Sequence, residues 1–309
     1  METTCNITVI DNSDIVITKG YGGNAGRKLC YRIDGVDYMV KFPNSTRDIG
    51  DPDLRSYITS PISEHVGSRI YESLGIAVHE TRLVECEGKI AVACKDFTSL
   101  GNFIPFSDIK NTIDETKITG SYGSSSRGER INDVLTVISN APIFQDLEVE
   151  AKARFWKMFI VDAIILNNDR NNGNWGLLVD GEKISLAPVF DNGNAFFNKR
   201  TTSIFEKRIV DDALVDNDID VSCSFFTNDS EHHIHPFDFM KFSDDEMLIE
   251  YMKEFVDSVN MSYVSEIINS IPEVFDNLSV IAPAQKRYYI KICERTIDRV
   301  NQALDSKNI

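Results

Sequence analysis

Hydrophobic and polar positions alternate through most of the first hundred residues. "NITVI" (6–10) and "DIVITKG" (14–20) are short β-branched runs. "RKLCYRIDGVDYMVKF" (27–42) reads as two strands around Asp34-Gly35, a pair suited to the positive φ angles of a tight hairpin turn. The period then lengthens. Ile62, Val66 and Ile70 recur at helical spacing behind Ser60-Pro61, a cap and a first-turn proline, and Gly75 closes the run. "AVHETRLVECEGKIAVACKDF" (77–97) returns to the strand pattern about Glu87-Gly88.

Beyond residue 100 the texture changes. "GSYGSSSRGER" (120–130) is a Gly/Ser-rich polar loop. "EVEAKARFWKMFIVDAIILN" (148–167) predicts a long helix, strongly apolar on one side. "WGLLVD" and "KISLAPVF" predict a hairpin joined at Gly181, and the tail from Ser243 is mostly amphipathic helix. The pattern therefore predicts an α+β fold with two lobes, a β-rich lobe over 1–100 and a helical lobe over 101–309. A cleft between such lobes is a natural ligand site.

Composition narrows the function classes. No apolar run reaches the ~20 residues of a membrane span, and "METTCNITVI" has no basic segment followed by an apolar one. The chain reads as cytoplasmic and monomeric, and export from the cell is not legible in it. A net charge of −16 disfavours coating nucleic acid. Six cysteines without a C-x-x-C pair read as reduced thiols. His232, His233 and His235, near Cys223, are a weak metal candidate.

Four features carry chemistry, in order. "GYGGNAGRK" (20–28) supplies Gly22, Gly23, Asn24, Ala25 and Gly26, a turn whose backbone N–H groups can approach phosphate. Lys41 lies in an apolar strand, and Glu64 on the following helix is its partner. "LNNDRNNGNWGLL" (166–178) sets Asn174 five residues after Asp169, directly behind the hydrophobic helix. That spacing suits a base that accepts a hydroxyl proton and a neutral amide ligand for Mg²⁺. The flanking Asn167, Asn168, Asn171 and Asn172 can hold the loop in Asx turns. Asp191, in "LAPVFDNG", follows the second strand of the hairpin and is a candidate for the second Mg²⁺ ligand. Each feature alone is an ordinary turn or edge residue. Together, in this order, they are the parts of a phosphoryl-transfer site using ATP and Mg²⁺.

The 166–178 and 187–193 motifs resemble the C-terminal kinase region of HipA-like serine/threonine kinases. "SPISEHVGSRIYESLGIAVHET" and "IAVACKDF" look like its compact cell-translocating kinase A type, and the resemblance runs over about 15–305. It implies a protein-kinase-like fold and a protein substrate with a Ser/Thr acceptor. It also implies Asp169 as base, Asn174 and Asp191 on Mg²⁺, Lys41 on the phosphates paired with Glu64, and adenine against the backbone from Lys95 to Phe97. Asn171 stands where relatives often carry His or Lys near the γ-phosphate. The regulatory Ser of the HipA glycine loop is absent, Tyr21 being the one hydroxyl there. Full-length HipA toxins contact an antitoxin through an additional N-terminal subdomain, so an antitoxin-like partner is an expectation from the family rather than from these residues. Thr201, Thr202 and Ser203 are phosphosite candidates after Asp191. Alternatives are a small-molecule kinase and a nucleotide-binding toxin–antitoxin component with little turnover.

Overall fold

The computed structural model describes residues 5–21, 26–46, 58–113 and 129–307. They form a mixed α+β fold in two compact units. One comprises Met1–Asp96, Asn192–Asp218 and Asn260–Glu294; the other comprises Phe97–Asp191, Ile219–Val259 and Arg295–Ile309. The first crossing falls near the change of texture read at residue 100, but two later segments return to the first unit.

The first unit is built on a five-stranded sheet. Its strands are β1 (Thr8–Val9), β2 (Lys28–Ile33), β3 (Val36–Lys41), β4 (Thr81–Cys86) and β5 (Lys89–Lys95), in the order β1-β4-β5-β3-β2. Both sequence-predicted hairpins form, with Asp34, Gly35, Glu87 and Gly88 at positive φ. "DIVITKG" forms only a bridge from Ile15 to Tyr31. Helix α1 (Ser60–Ser73) packs on β4 and β5. Its N-cap position is Thr59 rather than Ser60, with no side-chain capping bond; the Thr59 hydroxyl donates to the Asn198 carbonyl instead.

Strand periodicity decides where Lys41 points. Tyr31, Val40, Val84, Ala91 and Ala93 fill one apolar core, so their odd-step neighbours face the other side. Lys41 pairs with Val92, and Met39 with Cys94. Lys41 therefore lies on the face that α1 covers. Later elements of this unit include α5 (Thr202–Val210), most of α6 (Asp212–Asp220), α9 (Met261–Asn269) and the β11–β12 hairpin (Val274–Phe275, Leu278–Ser279).

The second unit starts with β6 (Asn102–Pro105), α2 (Phe106–Lys110), β7 (Glu129–Arg130) and α3 (Ile131–Asn140). Helix α4 (Glu148–Ile164) is its axis, buried almost continuously from Phe155 to Ile164. A three-stranded sheet orders β6 beside β8 (Gly176–Asp180) and β9 (Lys183–Leu186). Strand β10 (Phe226–Thr227) pairs with β7, and α7 (Pro236–Phe242) and α8 (Glu246–Ser258) pack on α4. Helix α10 (Pro283–Asp305) has residues in both units. Among the described residues no helix is long and apolar enough to cross a membrane.

Trp175 stacks on Phe106 at 4.0 Å between ring centroids, which brings the chain at β8 hard against β6. A Cβ on Gly176 would lie 2.1 Å from the Ile104 carbonyl oxygen. The obstructing atom is backbone and cannot rotate away. Gly176→Ala should therefore destabilise the protein by at least the ~1–3 kcal/mol of an overpacked interior. Thermal unfolding followed by circular dichroism checks this; an unchanged melting temperature contradicts it.

Candidate active site

Lys41 is the last residue of β3, and its Nζ lies 2.9 Å from Glu64 Oε2. Glu64 is fully buried. Its other oxygen, Oε1, is 3.0 Å from His79 Nε2 and accepts the Asn192 backbone N–H at 3.0 Å. Burial drives the Glu64 carboxyl upward, but Lys41 and His79 more than offset it and hold the group ionised, well below the usual carboxylate range. The Asn192 side chain donates to Ser68 Oγ at 3.1 Å, one helical turn along α1 from Glu64. The predicted Lys41–Glu64 pair thus forms. His79 and Asn192 belong to the same network and were missed, because nothing in "AVHET" marks a histidine as facing a helix that precedes it.

The segment expected at adenine ends this unit. The Lys95 N–H donates to the Glu80 carbonyl and the Asp96 N–H to the Asp37 carbonyl. Their donors are therefore spent within the unit. The Asp96 carboxylate takes the Tyr21 hydroxyl and the Lys19 ammonium, each at 2.6 Å. Gly26 has φ +69. Gly22, Gly23, Asn24 and Ala25 lie outside the described residues, as does most of the 120–130 loop.

In the second unit, the amide-rich loop shows why it is amide-rich. Asn171 N–H and Asn174 Nδ2 both donate to the Asp169 carbonyl, at 2.8 and 2.9 Å. Asn171 Oδ1 accepts the Gly173 N–H at 3.0 Å, an Asx turn. Asn171 Nδ2 is 3.3 Å from Asp169 Oδ1. Asn172 donates to Glu129 Oε2 at 2.8 Å, beside the buried Lys110–Glu129 pair. The outcome is an exposed Asp169 between the buried Asn167 and Arg170. Asn174 thus spends its side-chain NH₂ on the loop itself.

Arg170 was not singled out from the sequence. It is almost fully buried. Its Nε and Nη2 reach the two oxygens of Asp162 at 2.8 and 3.0 Å. Its Nη1 donates to the carbonyls of Phe190 and, at 3.3 Å, Asn174. Phe190 packs with Phe97 and Phe103, ring centroids 5.3 and 5.4 Å away. Asp191 follows it at φ +62, a left-handed conformation costly for a non-glycine residue.

The remaining candidates separate. Thr201 is buried and caps α5 through Ile204 N–H, whereas Ser203 is exposed. His233 and His235 are tied to the Ser224 and Ile219 carbonyls. They do not converge with Cys223; among the described residues the converging trio is Glu64, His79 and Cys94. All six cysteines are free thiols.

The chain as a whole is similar to known proteins. Residues 22–263 match the HipA-like C-terminal domain. The chain is 30% identical over 258 residues to the serine/threonine-protein kinase CtkA of Helicobacter pylori, covering 82% of this chain and 76% of that one. The crystal structure of the H. pylori proinflammatory kinase CtkA superposes with a TM-score of 0.85 at 25% identity, covering 97% of this chain and 98% of the other. HipA from the Shewanella oneidensis HipA–HipB–operator complex shares the fold, with a TM-score of 0.52 at 15% identity over 92% of this chain and 67% of that one. The chain belongs to the HipA-like C-terminal domain family and is a serine/threonine protein kinase of the CtkA type.

One neighbour of the Lys41–Glu64 network makes a pH prediction. His65 is buried, with Nδ1 2.9 Å from Thr81 Oγ1. Burial first, then Arg69, lowers its pKa from 6.5 to about 4. A lowered folded value means that the unfolded chain takes up the proton first as pH falls. His65 therefore removes stability between pH ~6.5 and ~4, by up to ~3 kcal/mol. Urea midpoints at pH 7 and pH 4.5 should differ less for His65→Asn than for the parent; equal differences would exclude this role.

Proposed function

We propose that the kinase transfers the ATP γ-phosphoryl group to a protein Ser/Thr hydroxyl with the residues read from the sequence in their expected roles. The single observation that carries this reading is the buried Lys41–Glu64 pair at 2.9 Å, because it aims an ammonium from the sheet at a fixed point. Lys41 holds nucleotide phosphate oxygens. The backbone from Lys95 to Phe97 meets adenine, and the glycine turn ending at Gly26 covers the phosphates. Asn171 lies beside the base, near the γ-phosphate. Asp169, exposed and held by its own loop, accepts the proton of the attacking hydroxyl. The hydroxyl oxygen bonds to phosphorus as the bond to the β-phosphate oxygen breaks, and ADP leaves with that electron pair.

Mg²⁺ fits the donor set. Asn174 and Asp191 offer an amide oxygen and a carboxylate, the hard oxygen ligands the ion prefers. When bound there, Mg²⁺ would neutralise charge on the phosphates. Autophosphorylation belongs to the same reading, with the exposed Ser203 hydroxyl as one acceptor.

Asp169→Asn should keep ATP binding and lose ~10²–10⁴-fold in transfer, the usual worth of a general base. Incubation with labelled ATP and mixed proteins, with calorimetry for nucleotide binding, tests this. Transfer at the parent rate would remove Asp169 as base.

Lys41→Met should lose both ATP affinity and turnover. Glu64→Gln should chiefly lower turnover, since the lysine remains but is less well aimed, and ~1 Å of misplacement costs ~10²-fold. Steady-state kinetics on the two variants separates these effects; a Glu64→Gln enzyme with parent kinetics would defeat the alignment role.

A further inference from the structure

We propose that Arg170 is a positioning residue that fixes the base, the amide ligand and the hairpin carboxylate as one rigid set. The inference rests on the roles given above to Asp169, Asn174 and Asp191. Each of those residues is adjacent to a group that the guanidinium holds. Asp169 is its chain neighbour. Asn174 lends its own carbonyl at 3.3 Å. Asp191 is preceded by Phe190, whose carbonyl takes the same Nη1.

Asp162 supplies the anchor. Its two oxygens accept Nε at 2.8 Å and Nη2 at 3.0 Å, the bidentate geometry that fixes orientation as well as distance. Asp162 Oδ1 also accepts Asn167 Nδ2 at 2.9 Å, and the Asp162 carbonyl accepts the Asn167 N–H at 2.8 Å. The helix that carries Asp162 is the buried axis of its unit, so the reference point is stiff. Arg170 thus bridges three segments: the end of α4, the amide-rich loop and the segment that follows the β8–β9 hairpin. That following segment holds Asp191 in an unfavourable left-handed conformation. A bond to the residue before it opposes relaxation of that turn.

Lysine could keep the charge but not the fork. It has one nitrogen where the site uses three, so it cannot hold Asp162 bidentately and reach two carbonyls. Arg170→Lys should therefore fold, yet turn over ~10²-fold more slowly. Its KM for ATP should change much less than its kcat, because Lys41 and the adenine segment are untouched. The Mg²⁺ concentration for half-maximal rate should rise several-fold, because Asn174 and Asp191 lose their common reference.

The test is steady-state kinetics across Mg²⁺ concentrations, at a temperature well below the melting point of each variant, with Asp169→Asn assayed beside it. A merely structural ion pair would lower the melting temperature and leave kcat and Mg²⁺ response at the parent values in the folded enzyme; that result overturns the proposal. If Arg170→Lys does not fold, Asp162→Asn replaces it, since it keeps the shape of the anchor and removes its charge. The same two shifts, smaller in size, are expected there, and parent values in that variant overturn the proposal equally. Loss of transfer in Asp169→Asn together with parent kinetics in Arg170→Lys refutes the inference alone. Full transfer in Asp169→Asn refutes the underlying reading and, with it, the inference.

Discussion

A carboxylate with no access to water is the constraint on which the first unit depends. Glu64 is completely enclosed, and an ionised group there costs several kcal/mol unless its oxygens are matched. Lys41, His79 and the Asn192 N–H match them. These donors come from β3, from the segment before β4 and from the residue after Asp191. One side chain thus sets the position of the sheet lysine and the start of the chain that follows the hairpin. Ridding Glu64 of any donor leaves charge unmatched, so the three segments are held in mutual register by electrostatics rather than by apolar contact alone.

The second unit uses the same device. Asp162 is the buried acid and Arg170 the cation that distributes its hold to backbone carbonyls. Asp169 differs from both buried acids. It is exposed, and its loop is shaped by neutral amides. Amides supply hydrogen bonds without adding charge beside the proposed base. The carboxylates that hold structure are thus buried and paired, whereas the one proposed as base is exposed.

Much of this was legible in the sequence. Both first-unit hairpins, α1, α4 and the β8–β9 hairpin follow from hydrophobic period and turn residues. The Asp169–Asn174 spacing and the Lys41–Glu64 pair follow from known phosphoryl-transfer chemistry. What was not legible depends on direction in space. His79 and Arg170 are polar residues inside patterned segments, and their importance comes from partners 15 and 8 positions away on other elements. "DIVITKG" has strand composition but gains only one bridge, since composition does not say whether an edge is available. Thr201 reads like Ser203 in a row of hydroxyls, yet Thr201 is buried at a helix start, while Ser203 is exposed and its hydroxyl lies 3.0 Å from that of Thr201.

The first unit draws its parts from widely separated stretches of chain. Helix α1 packs on α9, and the Cys5 N–H donates to the Ser270 carbonyl. During synthesis the amino-terminal sheet leaves the ribosome long before these partners exist. The outer side of α1 therefore stays uncovered until most of the polypeptide has been made. A ribosome that stalls in the second half of the message would release a chain whose Lys41 and Glu64 are both present but whose helix lacks its cover. The order of synthesis makes the first unit's completion a late event, and it ties Lys41 and Glu64 to a segment about two hundred residues further along the chain.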